Sequence, residues 1–571
     1  MVRKHKEYYA LGISMLIIAL VTGISLYERG IGGDIWDLTY HLLRIESVKE
    51  ALLNGSYPAR VNPIFFDGYG YGSSMFYPDL FLVIPAVMNI CGISLLLSYK
   101  IFVLLLAMIG TCTTFFSLKF ICGEWKCALT GSYVLMLSTY YLADVSNRAG
   151  LSEYIACVFV PVLVAGIYDY FACEGKRTWL LGIGFVGMVL CHTIMTYIGL
   201  LITAIIFMVM LFVPQKRKLV FERKRFVRLL VTAVLSVLSV SYYIFPMLEQ
   251  MGEGRFRFNE PWANIGEYTQ TFESFFSPVG VFMYTAQFGV GIAVLFMLAS
   301  RVMLGKIKNK WADSLVAVGL MLLIAMTDVI PWNRLEDTSL NMIQFTYRLY
   351  PYALYFVICG ICIAYAEKQK DGVVNRFVLG FLVIVAVVCG VWQTKHCAGI
   401  GTRTPISEEY VYDNNHWVGK GEWVPEGISD EIYNGQGNGL VVTEDGVYMD
   451  FVTSGYNRHF FDVTEDTGMS YKVPLMYYKG YRAQALLEDG SVKELEVAGN
   501  AEGLLQVKLS HKFTGEVRVW YAGTVTQKVS NVISGVVLWG ILLAVSWRFY
   551  RKLKIKNVKG SKIVLDTVAR A

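Results

Sequence analysis

Charged residues are scarce in this chain of 571 residues: Asp, Glu, Lys and Arg together make up 17%, whereas 55% of the residues are hydrophobic. The mean hydropathy is positive. A soluble globular protein carries about 25% charged residues, and a disordered chain carries few apolar ones, so both classes are excluded. The composition indicates a polytopic membrane protein.

Cysteine is absent from the last part of the chain. The eleven cysteines lie between Cys91 and Cys397, within or beside apolar segments, and residues 398–571 contain none. A disulfide-stapled secreted domain is therefore not expected. The net charge of +6 is small against 51 basic and 45 acidic side chains, so nothing indicates nucleic acid as a partner.

Long apolar runs dominate the first 400 residues or so of the sequence. A spanning helix needs about 20 mostly apolar residues, because the hydrocarbon core is about 30 Å thick and each residue rises about 1.5 Å. The sequence predicts twelve spans, near residues 8–27, 98–120, 127–143, 151–171, 178–192, 194–213, 227–246, 281–300, 313–329, 347–366, 376–394 and 529–549. The first run is too long for a cleaved signal peptide and is expected to remain as an anchor.

Clusters of basic residues predict the orientation, because short cytoplasmic loops carry an excess of Lys and Arg. The basic segments are the N-terminus, residues 215–228, residues 301–310 and the tail after Trp547. Twelve spans place all of them in the cytoplasm if residues 76–92 form a lumen-side helix on the membrane surface. We therefore expect a multi-pass cell-membrane protein with both termini in the cytoplasm.

This topology divides the chain into three predicted parts. Residues 1–394 form a transmembrane domain with a first outer loop at 28–97, and residues 529–571 form the last span and a basic tail. Between them, residues 395–528 carry turn signals between short alternating runs. We expect this stretch to be an extracytoplasmic β-sandwich-like domain.

The first outer loop contains the densest set of chemically functional residue types. Four of them are spaced by three, four and three residues: Asp34, Asp37, His41 and Arg44. In a helix that begins near Gly33 these residues share one face, and either aspartate could cap the helix. That face could equally be the polar side of an amphipathic helix that meets water and lipid headgroups. The glycine-rich run at 67–78 suits either close approach to a sugar-like ligand or a structural turn.

These motifs carry a resemblance to a known family. The positions Asp37, His41, Arg44, Gly55, Pro58 and Arg60, followed by the run from Tyr69 to Pro85, resemble the bacterial membrane family labelled 6-pyruvoyl-tetrahydropterin synthase-related. Further matches are NRAGLSE at 147–153, IQFTYR at 343–348 and VPLMYYKGY at 473–481. The chain has no soluble pterin-synthase metal site. Its plan is similar to the GT-C class of glycosyltransferases and to related bacterial proteins implicated in glycosylating teichoic acids.

The resemblance implies transfer of a sugar from a polyprenyl phosphate to an acceptor hydroxyl on a cell-surface glycan or lipid. It implies Asp37 as the catalytic carboxylate, with Asp34 as alternative or partner. His41 could orient this carboxylate or relay a proton, or it could be a hydrogen-bonded surface imidazole.

Arginine is suited to hold the donor phosphate, because a guanidinium can grip phosphate oxygens in pairs. The predicted substrate-binding and phosphate-binding residues are Arg44, Tyr77, Arg148, Glu153, Gln344 and Arg348. We expect Arg148 to pair with Glu153 and Arg348 with Gln344, because charges beside apolar spans are costly alone. Glu153 could instead be a second catalytic acid, and both arginines could snorkel or form local salt bridges.

No metal ligand is assigned from the sequence. The spacing of Asp34 and Asp37 is compatible with a divalent cation, Mg²⁺ or Mn²⁺, without indicating one. His192, within an apolar stretch, is interpreted as a satisfied buried histidine before a catalytic one.

Two other classes of protein compete with a glycosyltransferase. One is a transporter or exporter of lipid-linked glycans, and the other is a non-catalytic cell-envelope assembly protein. The polar cluster in an outer loop, away from the bilayer midplane, argues against a transporter. Aromatic residues of the outer domain could bind the acceptor glycan: Trp417, Trp423, Tyr477, Tyr478 and Tyr481.

Overall fold

The computed structural model describes residues 2–27, 37–259, 263–280, 286–399 and 406–568. The helices of the first half are α1 Val2–Tyr27, α2 Leu38–Leu53, α3 Ser73–Phe76, α4 Val83–Ile90, α5 Leu95–Cys122, α6 Trp125–Met136, α7 Thr139–Ala143, α8 Leu151–Cys157, α9 Val160–Ala172, α10 Trp179–Val189 and α11 Thr193–Phe212. The later helices are α12 Pro214–Val220, α13 Arg223–Ser239, α14 Ser241–Glu253, α15 Ile292–Met303, α16 Lys310–Ala325, α17 Tyr350–Lys370, α18 Arg376–Gly399, α19 Glu408–Asp413, α20 Asp430–Tyr433 and α21 Val525–Val568.

Within the described ranges, seven helical segments are long and apolar enough to cross a membrane, or eight if the bent pair α13 and α14 forms one span. The seven are Lys6–Leu26, Leu95–Cys122, Leu151–Ala172, Thr193–Phe212, Thr346–Lys370, Arg376–Ala398 and Val525–Arg548. The chain is therefore a multi-pass membrane protein.

The predicted count of twelve spans is not confirmed. Four predicted spans fall on helices of 16 residues or fewer, namely α6 with α7, α10, α15 and α16. Residues 281–285 of the third of these predicted spans lie outside the described residues. An apolar run can be buried by neighbouring helices as well as by lipid, and hydropathy does not separate the two cases.

The centre of the helical part is α17, which is buried from Tyr350 to Ala366. Its neighbour α16 approaches closely because both helices carry glycine at the contact. A Cβ on Gly360 would collide with the Ala312 carbonyl oxygen, and one on Gly319 would lie 2.7 Å from the Ala353 carbonyl oxygen. Small residues at such contacts allow two apolar helices to pack backbone to backbone.

The C-terminal part is a single antiparallel sheet of nine strands within the described residues. They are β1 Val441–Thr443, β2 Tyr448–Met449, β3 Val452–Gly455, β4 Arg458–Val463, β5 Ser470–Met476, β6 Tyr481–Leu487, β7 Val492–Gly499, β8 Leu504–Lys508 and β9 Gly515–Tyr521, in the order β2-β1-β5-β8-β7-β6-β9-β4-β3. Phe461 of β4 packs on Tyr471 of β5 at 5.3 Å between ring centroids, although four strands separate them in that order. The sheet therefore curls into a half-barrel. The predicted two-sheet sandwich is instead one curved sheet that packs side chains on its inner face.

The loop after α2 and the sheet region are joined by direct contacts. The Met476 backbone N–H donates to the Tyr69 carbonyl oxygen at 2.8 Å, and Asn415 Nδ2 donates to Asp67 Oδ1 at 2.8 Å. Phe256, from the loop after α14, forms a β-bridge with Pro425. Three regions that the topology predicts on one side of the membrane thus lie together.

Candidate active site

The site begins at the N-terminus of α2. This helix starts at Leu38 rather than near Gly33 as predicted, and Asp37 occupies its N-cap position without a side-chain capping bond. Asp37 Oδ2 accepts instead from Arg148 Nε at 3.1 Å, while the Asp37 backbone N–H donates to the Arg148 carbonyl oxygen at 3.2 Å. Asp34, the alternative base, lies outside the described residues, so the predicted shared face applies to the remaining three residues.

Arg148 is held by an unusual backbone segment. Residues Asp144–Arg148 form a π-helical turn, and Ala149 follows with φ of 58°, in the left-handed region. A Cβ on Gly150 would collide with the Asp144 carboxylate. π-turns and left-handed non-glycine residues cost energy and concentrate at functional sites. The strained backbone points to this segment as a built part of the site.

Glu153 is the centre of a buried ion-pair network, which we name the Arg148 cluster: Asp37, Asp144, Arg148, Glu153 and Arg348. Glu153 Oε2 accepts from Arg148 Nη1 at 2.8 Å and from Arg348 Nε at 3.3 Å. Its other oxygen accepts from the Tyr140 hydroxyl. Two buried cations and a phenol therefore fix this carboxylate, and the carboxylate in turn fixes both guanidinium groups.

The two pairs predicted from the sequence are both present. Arg148 pairs with Glu153, and Arg348 Nη1 donates to Gln344 Oε1 at 2.8 Å. Gln344 has φ of 62°, so a second left-handed residue stands beside the second arginine. The arginine side chains are only 10% and 4% exposed, so they form an internal network instead of snorkelling.

Exposure separates the two acids that accept hydrogen bonds from Arg148. The side chain of Asp37 is 32% exposed, whereas that of Glu153 is 1% exposed. Glu153 is enclosed and saturated with donors, so it is suited to positioning. Asp37 is the carboxylate of the pair that an incoming molecule can reach.

His192 adjoins this network. Its Nδ1 accepts from the Met195 backbone N–H at 3.1 Å as the N-cap of α11, and its Nε2 lies 3.9 Å from Glu153 Oε2. Burial, with Arg348 next in effect, lowers the pKa of His192 to about 3, so the ring is neutral at pH 7. The sequence interpretation of a satisfied buried histidine is correct, but its position beside Glu153 was not foreseen.

His41 and Arg44 continue inward from Asp37 along α2, and both are buried. Arg44 donates to the Pro78 carbonyl oxygen at 2.6 Å and to Ser152 Oγ at 2.9 Å, and it contacts His41 Nδ1 at 3.3 Å. Burial and the Arg44 charge hold the pKa of His41 well below its usual range. His41 is therefore a neutral buried imidazole, not the surface imidazole of the alternative interpretation, and α2 is enclosed by protein instead of facing headgroups.

Tyr77, from the first loop, packs on one side of the site. Its ring lies 4.4 Å from the Arg44 guanidinium carbon, 5.6 Å from the His192 ring and 5.3 Å from Trp423 of the sheet region. Trp423 lies between α19 and α20, so the C-terminal region packs directly on Tyr77.

The aromatic residues predicted to bind acceptor glycan are mostly packing residues. Tyr478 and Tyr481 are buried, and the Tyr478 ring fills the space beside Gly72, where a Cβ would collide with it at 2.5 Å. The glycine run of the first loop is therefore a structural turn that admits this ring. Trp417 is half exposed and remains available at the surface.

Two members of the network were missed by the sequence interpretation. Asp144 is buried, neither of its carboxylate oxygens accepts a hydrogen bond in the structure, and Arg148 Nη1 lies 3.8 Å away. Burial and the neighbouring Glu153 raise the pKa of Asp144 well above its usual range. Tyr140 is the other. Their spacing from Arg148, at i−4 and i−8, is the signal that could have found them.

Metal ligands are not assembled in the part of the chain that is described, where no group of three or more His, Cys, Asp or Glu side chains could hold an ion. Asp37 and Glu153 each already pair with arginine. The divalent cation considered from the sequence therefore remains an expectation that involves Asp34.

Fold and site together describe a multi-pass membrane protein with a buried ion-pair cluster and a curved C-terminal β-sheet. No family model and no curated protein matches the chain. Among solved structures it is similar to the cryo-EM structure of arabinofuranosyltransferase AftD from Mycobacteria, with 15% identity and a TM-score of 0.43 over 68% of this chain and 27% of that chain. A mutant of the same protein gives 13% identity and a TM-score of 0.43 over 67% of this chain and 27% of that one. The chain thus spans about a quarter of the length of those structures, and the family named from the motifs stays a prediction.

Proposed function

We propose that this protein is a membrane glycosyltransferase of the GT-C type. It transfers a sugar from a polyprenyl-phosphate donor to a cell-surface polymer or lipid at the outer face of the membrane. The observation that carries the proposal is the reachable carboxylate of Asp37, oriented by an arginine that is itself fixed in a buried network.

Asp37 has the features that a general base requires. Arg148 fixes the direction of its carboxylate, and partial exposure leaves room for an acceptor hydroxyl. In the proposed step Asp37 takes the hydroxyl proton as the acceptor oxygen forms a bond to the anomeric carbon. The bond from that carbon to the phosphate oxygen breaks, and polyprenyl phosphate leaves with the electron pair. Asp37 then returns the proton to water.

The leaving phosphate needs positive charge, and the site has an excess of it. Arg44, Arg148 and Arg348 lie together with two ion-paired carboxylates, Asp37 and Glu153, and with Asp144, whose pKa is raised well above its usual range. Donors fixed before the reaction stabilise developing charge without reorganisation. Arg148 and Arg348 are the proposed phosphate-binding groups, with Gln344 and Glu153 as their positioning residues. Arg44 and Tyr77 pack against each other and line the inner side of the proposed site.

The outer location rests on the basic segments of the sequence and on the contacts between predicted outer regions. The first loop, the loop after α14 and the sheet region contact one another, as regions on one side of a membrane would. We therefore place the β-sheet region outside and both termini in the cytoplasm.

A transporter of lipid-linked glycans is the second candidate. It is favoured by the break between α13 and α14, which meet at 66°, because broken apolar helices often line transport sites. Purified protein in liposomes that moves a lipid-linked sugar across the bilayer with its sugar-phosphate bond intact would support this candidate.

The proposal is tested by mass analysis of cell-surface polymers from a strain that lacks the protein. The strain is complemented with wild type, Asp37→Asn or the exposed control Asp413→Asn, at matched membrane abundance. We expect a glycan modification to return with wild type and the control but not with Asp37→Asn. Equal restoration by all three would reject Asp37 as the base and favour a non-catalytic assembly role.

A further inference from the structure

A second buried polar cluster lies next to the site. It consists of Tyr57, Arg60, Asp79, Tyr242 and Tyr456, which we name the Asp79 cluster. These residues come from the first loop, from the start of α14 and from the turn between β3 and β4. Each of the three tyrosines interacts electrostatically with Asp79, and Arg60 interacts with Asp79, Tyr57 and Tyr242. Three distant chain segments thus contribute polar side chains that interact with Asp79.

The cluster contains several polar atoms without partners. Asp79 Oδ2 and the hydroxyl oxygens of Tyr57, Tyr242 and Tyr456 are buried, and none has a hydrogen-bond partner in the structure. Asp79 is only 4% exposed. Buried polar groups in native proteins are almost always satisfied, by protein, water or ligand. Four such atoms, one on Asp79 and three on tyrosines that interact with it, indicate a place where a polar molecule supplies the missing partners.

Arg60 links the first loop of the Asp79 cluster to α14 and α21. Its Nη2 donates to the Tyr242 carbonyl oxygen at 3.0 Å and to Asn531 Oδ1 of α21 at 2.8 Å. Tyr242 stands at the break between α13 and α14, where the Ser534 hydroxyl also accepts from its backbone N–H at 2.9 Å. A broken apolar helix is tolerated where its backbone groups are satisfied by protein or line a polar site. Here the side chains satisfy the backbone and leave the Tyr242 hydroxyl without a partner.

The Asp79 cluster is connected to the proposed active site through Arg44. The Arg44 Nη2 group donates to the carbonyl oxygens of Tyr77, at 3.2 Å, and Pro78, at 2.6 Å, directly before Asp79. Arg44 is also the arginine with the largest electrostatic effect on Asp79. A molecule bound at Asp79 would therefore lie close to Arg44.

The unpartnered atoms select the chemistry of the ligand. Burial raises the pKa of Asp79, which favours the protonated carboxyl more than in an exposed aspartate. A hydroxyl group matches both forms of the carboxyl and also matches tyrosine hydroxyls, which donate and accept. A phosphate brings no donor to an ionised carboxylate. The donor set fits a ring with several hydroxyl groups better than an anion.

We propose that the Asp79 cluster is a sugar-binding subsite that holds hydroxyl groups of the acceptor glycan. Its assignment to the acceptor rests on the proposed function, but sugar binding itself does not require transfer. The subsite would place one sugar ring of the acceptor beside Arg44 while another residue of the glycan reaches Asp37.

Binding is measured by saturation-transfer NMR on the purified full chain in detergent, with free hexoses and pentoses as probes and inorganic phosphate as a competitor. The variants are Tyr57→Phe, Tyr242→Phe, Tyr456→Phe and Asp79→Asn. Tyr170→Phe is the matched control, because the Tyr170 hydroxyl is also buried without a hydrogen bond but lies outside the cluster. Size-exclusion profiles confirm that each variant is folded.

We expect at least one sugar to bind wild type and the control, and to bind each tyrosine variant about threefold to tenfold more weakly, as expected for one lost hydrogen bond. Absence of binding, or equal binding by all variants, would mean that water alone fills the cluster. Competition by phosphate would indicate that the cluster binds an anion and not a sugar, against the proposal. Competition by a polyprenyl-phosphate sugar would assign the subsite to the donor, against the proposal.

The result is separable from the proposed function. Sugar binding that persists in Asp37→Asn supports the subsite even if transfer is never observed. Transfer that depends on Asp37 but is unchanged in all four cluster variants supports the proposed function and overturns the subsite.

Discussion

The Arg148 cluster and the Asp79 cluster are both buried, both polar and both built on the first loop, yet they differ in how their groups are satisfied. In the Arg148 cluster, guanidinium and carboxylate groups pair with each other at 2.8 to 3.3 Å. In the Asp79 cluster, a carboxylate oxygen and three phenols have no hydrogen-bond partner in the structure. Buried polar groups therefore occur in two different states in this protein. One network pairs its charges, except at Asp144, and positions a reachable base, whereas the other leaves Asp79 Oδ2 and three phenols without hydrogen bonds among the described residues.

The largest effect is expected from breaking the Arg148 cluster. Glu153→Gln leaves Arg148 and Arg348 buried without their shared counter-charge, which should cost about 3 to 5 kcal/mol of unfolding free energy. The fraction of monodisperse protein that survives heating measures this loss. Glu409→Gln, at an exposed acid, is the control and should match wild type. Equal heat resistance of both variants would contradict the role of Glu153 as the centre of the network.

A smaller loss is expected at the edge of the same network. Tyr140→Phe removes the hydroxyl that donates to Glu153. A hydrogen bond to a charged group contributes about 1.5 to 3 kcal/mol, so the melting temperature should fall measurably. A melting temperature equal to that of wild type would show that this phenol does not support Glu153.

The pH dependence of stability should carry the signature of His192. Its pKa is about 3 in the folded chain and about 6.5 when unfolded. Between these values the unfolded chain binds a proton that the folded chain does not, so stability falls as pH drops below about 6.5, by about 1.4 kcal/mol per pH unit. His192→Asn keeps a capping acceptor and removes this contribution. Thermal melts between pH 7 and pH 4.5 with equal slopes in both proteins would contradict a neutral buried His192.

The smallest effect on stability is expected from a substitution in the Asp79 cluster. Tyr57→Phe removes a hydroxyl that has no hydrogen bond, so the unfolding free energy should stay within about 0.5 kcal/mol of wild type or rise. The melting temperature in the absence of sugar tests this expectation. A loss as large as that of Tyr140→Phe would show that the Asp79 cluster is already satisfied in the free protein, which would remove the contrast between the two clusters.

Local spacing predicted the parts of the site that are local in the sequence. Arg148 with Glu153 and Gln344 with Arg348 are separated by five and four residues, and both pairs form. The contact of Arg348 with Glu153 joins residues 195 positions apart, and no period in a single sequence encodes it. In the structure α2 begins at Leu38, and the Asp37 side chain makes a tertiary contact with Arg148 instead of a capping bond.

Apolar runs predicted a membrane protein correctly but did not give the span count. The helices α10 and α16 are apolar, but their lengths of 11 and 16 residues fall short of a full crossing. For the aromatic residues of the C-terminal region, glycan binding stays a prediction at Trp417, Trp423 and Tyr477. Ring clusters near turns predict a surface for glycans or a packed interface equally well, and here Tyr478 and Tyr481 are buried.

The central claim is that Asp37 is the base of a sugar transfer, and reconstitution tests it most directly. Purified wild type, Asp37→Asn and Asp413→Asn are placed in liposomes with a polyprenyl-phosphate sugar and with acceptor extracted from cells that lack the protein. The rate of mass gain on the acceptor is then measured. We expect wild type and Asp413→Asn to transfer at equal rates, and Asp37→Asn to be slower by about 100-fold to 10,000-fold at unchanged melting temperature. Transfer by Asp37→Asn at the wild-type rate would contradict the account.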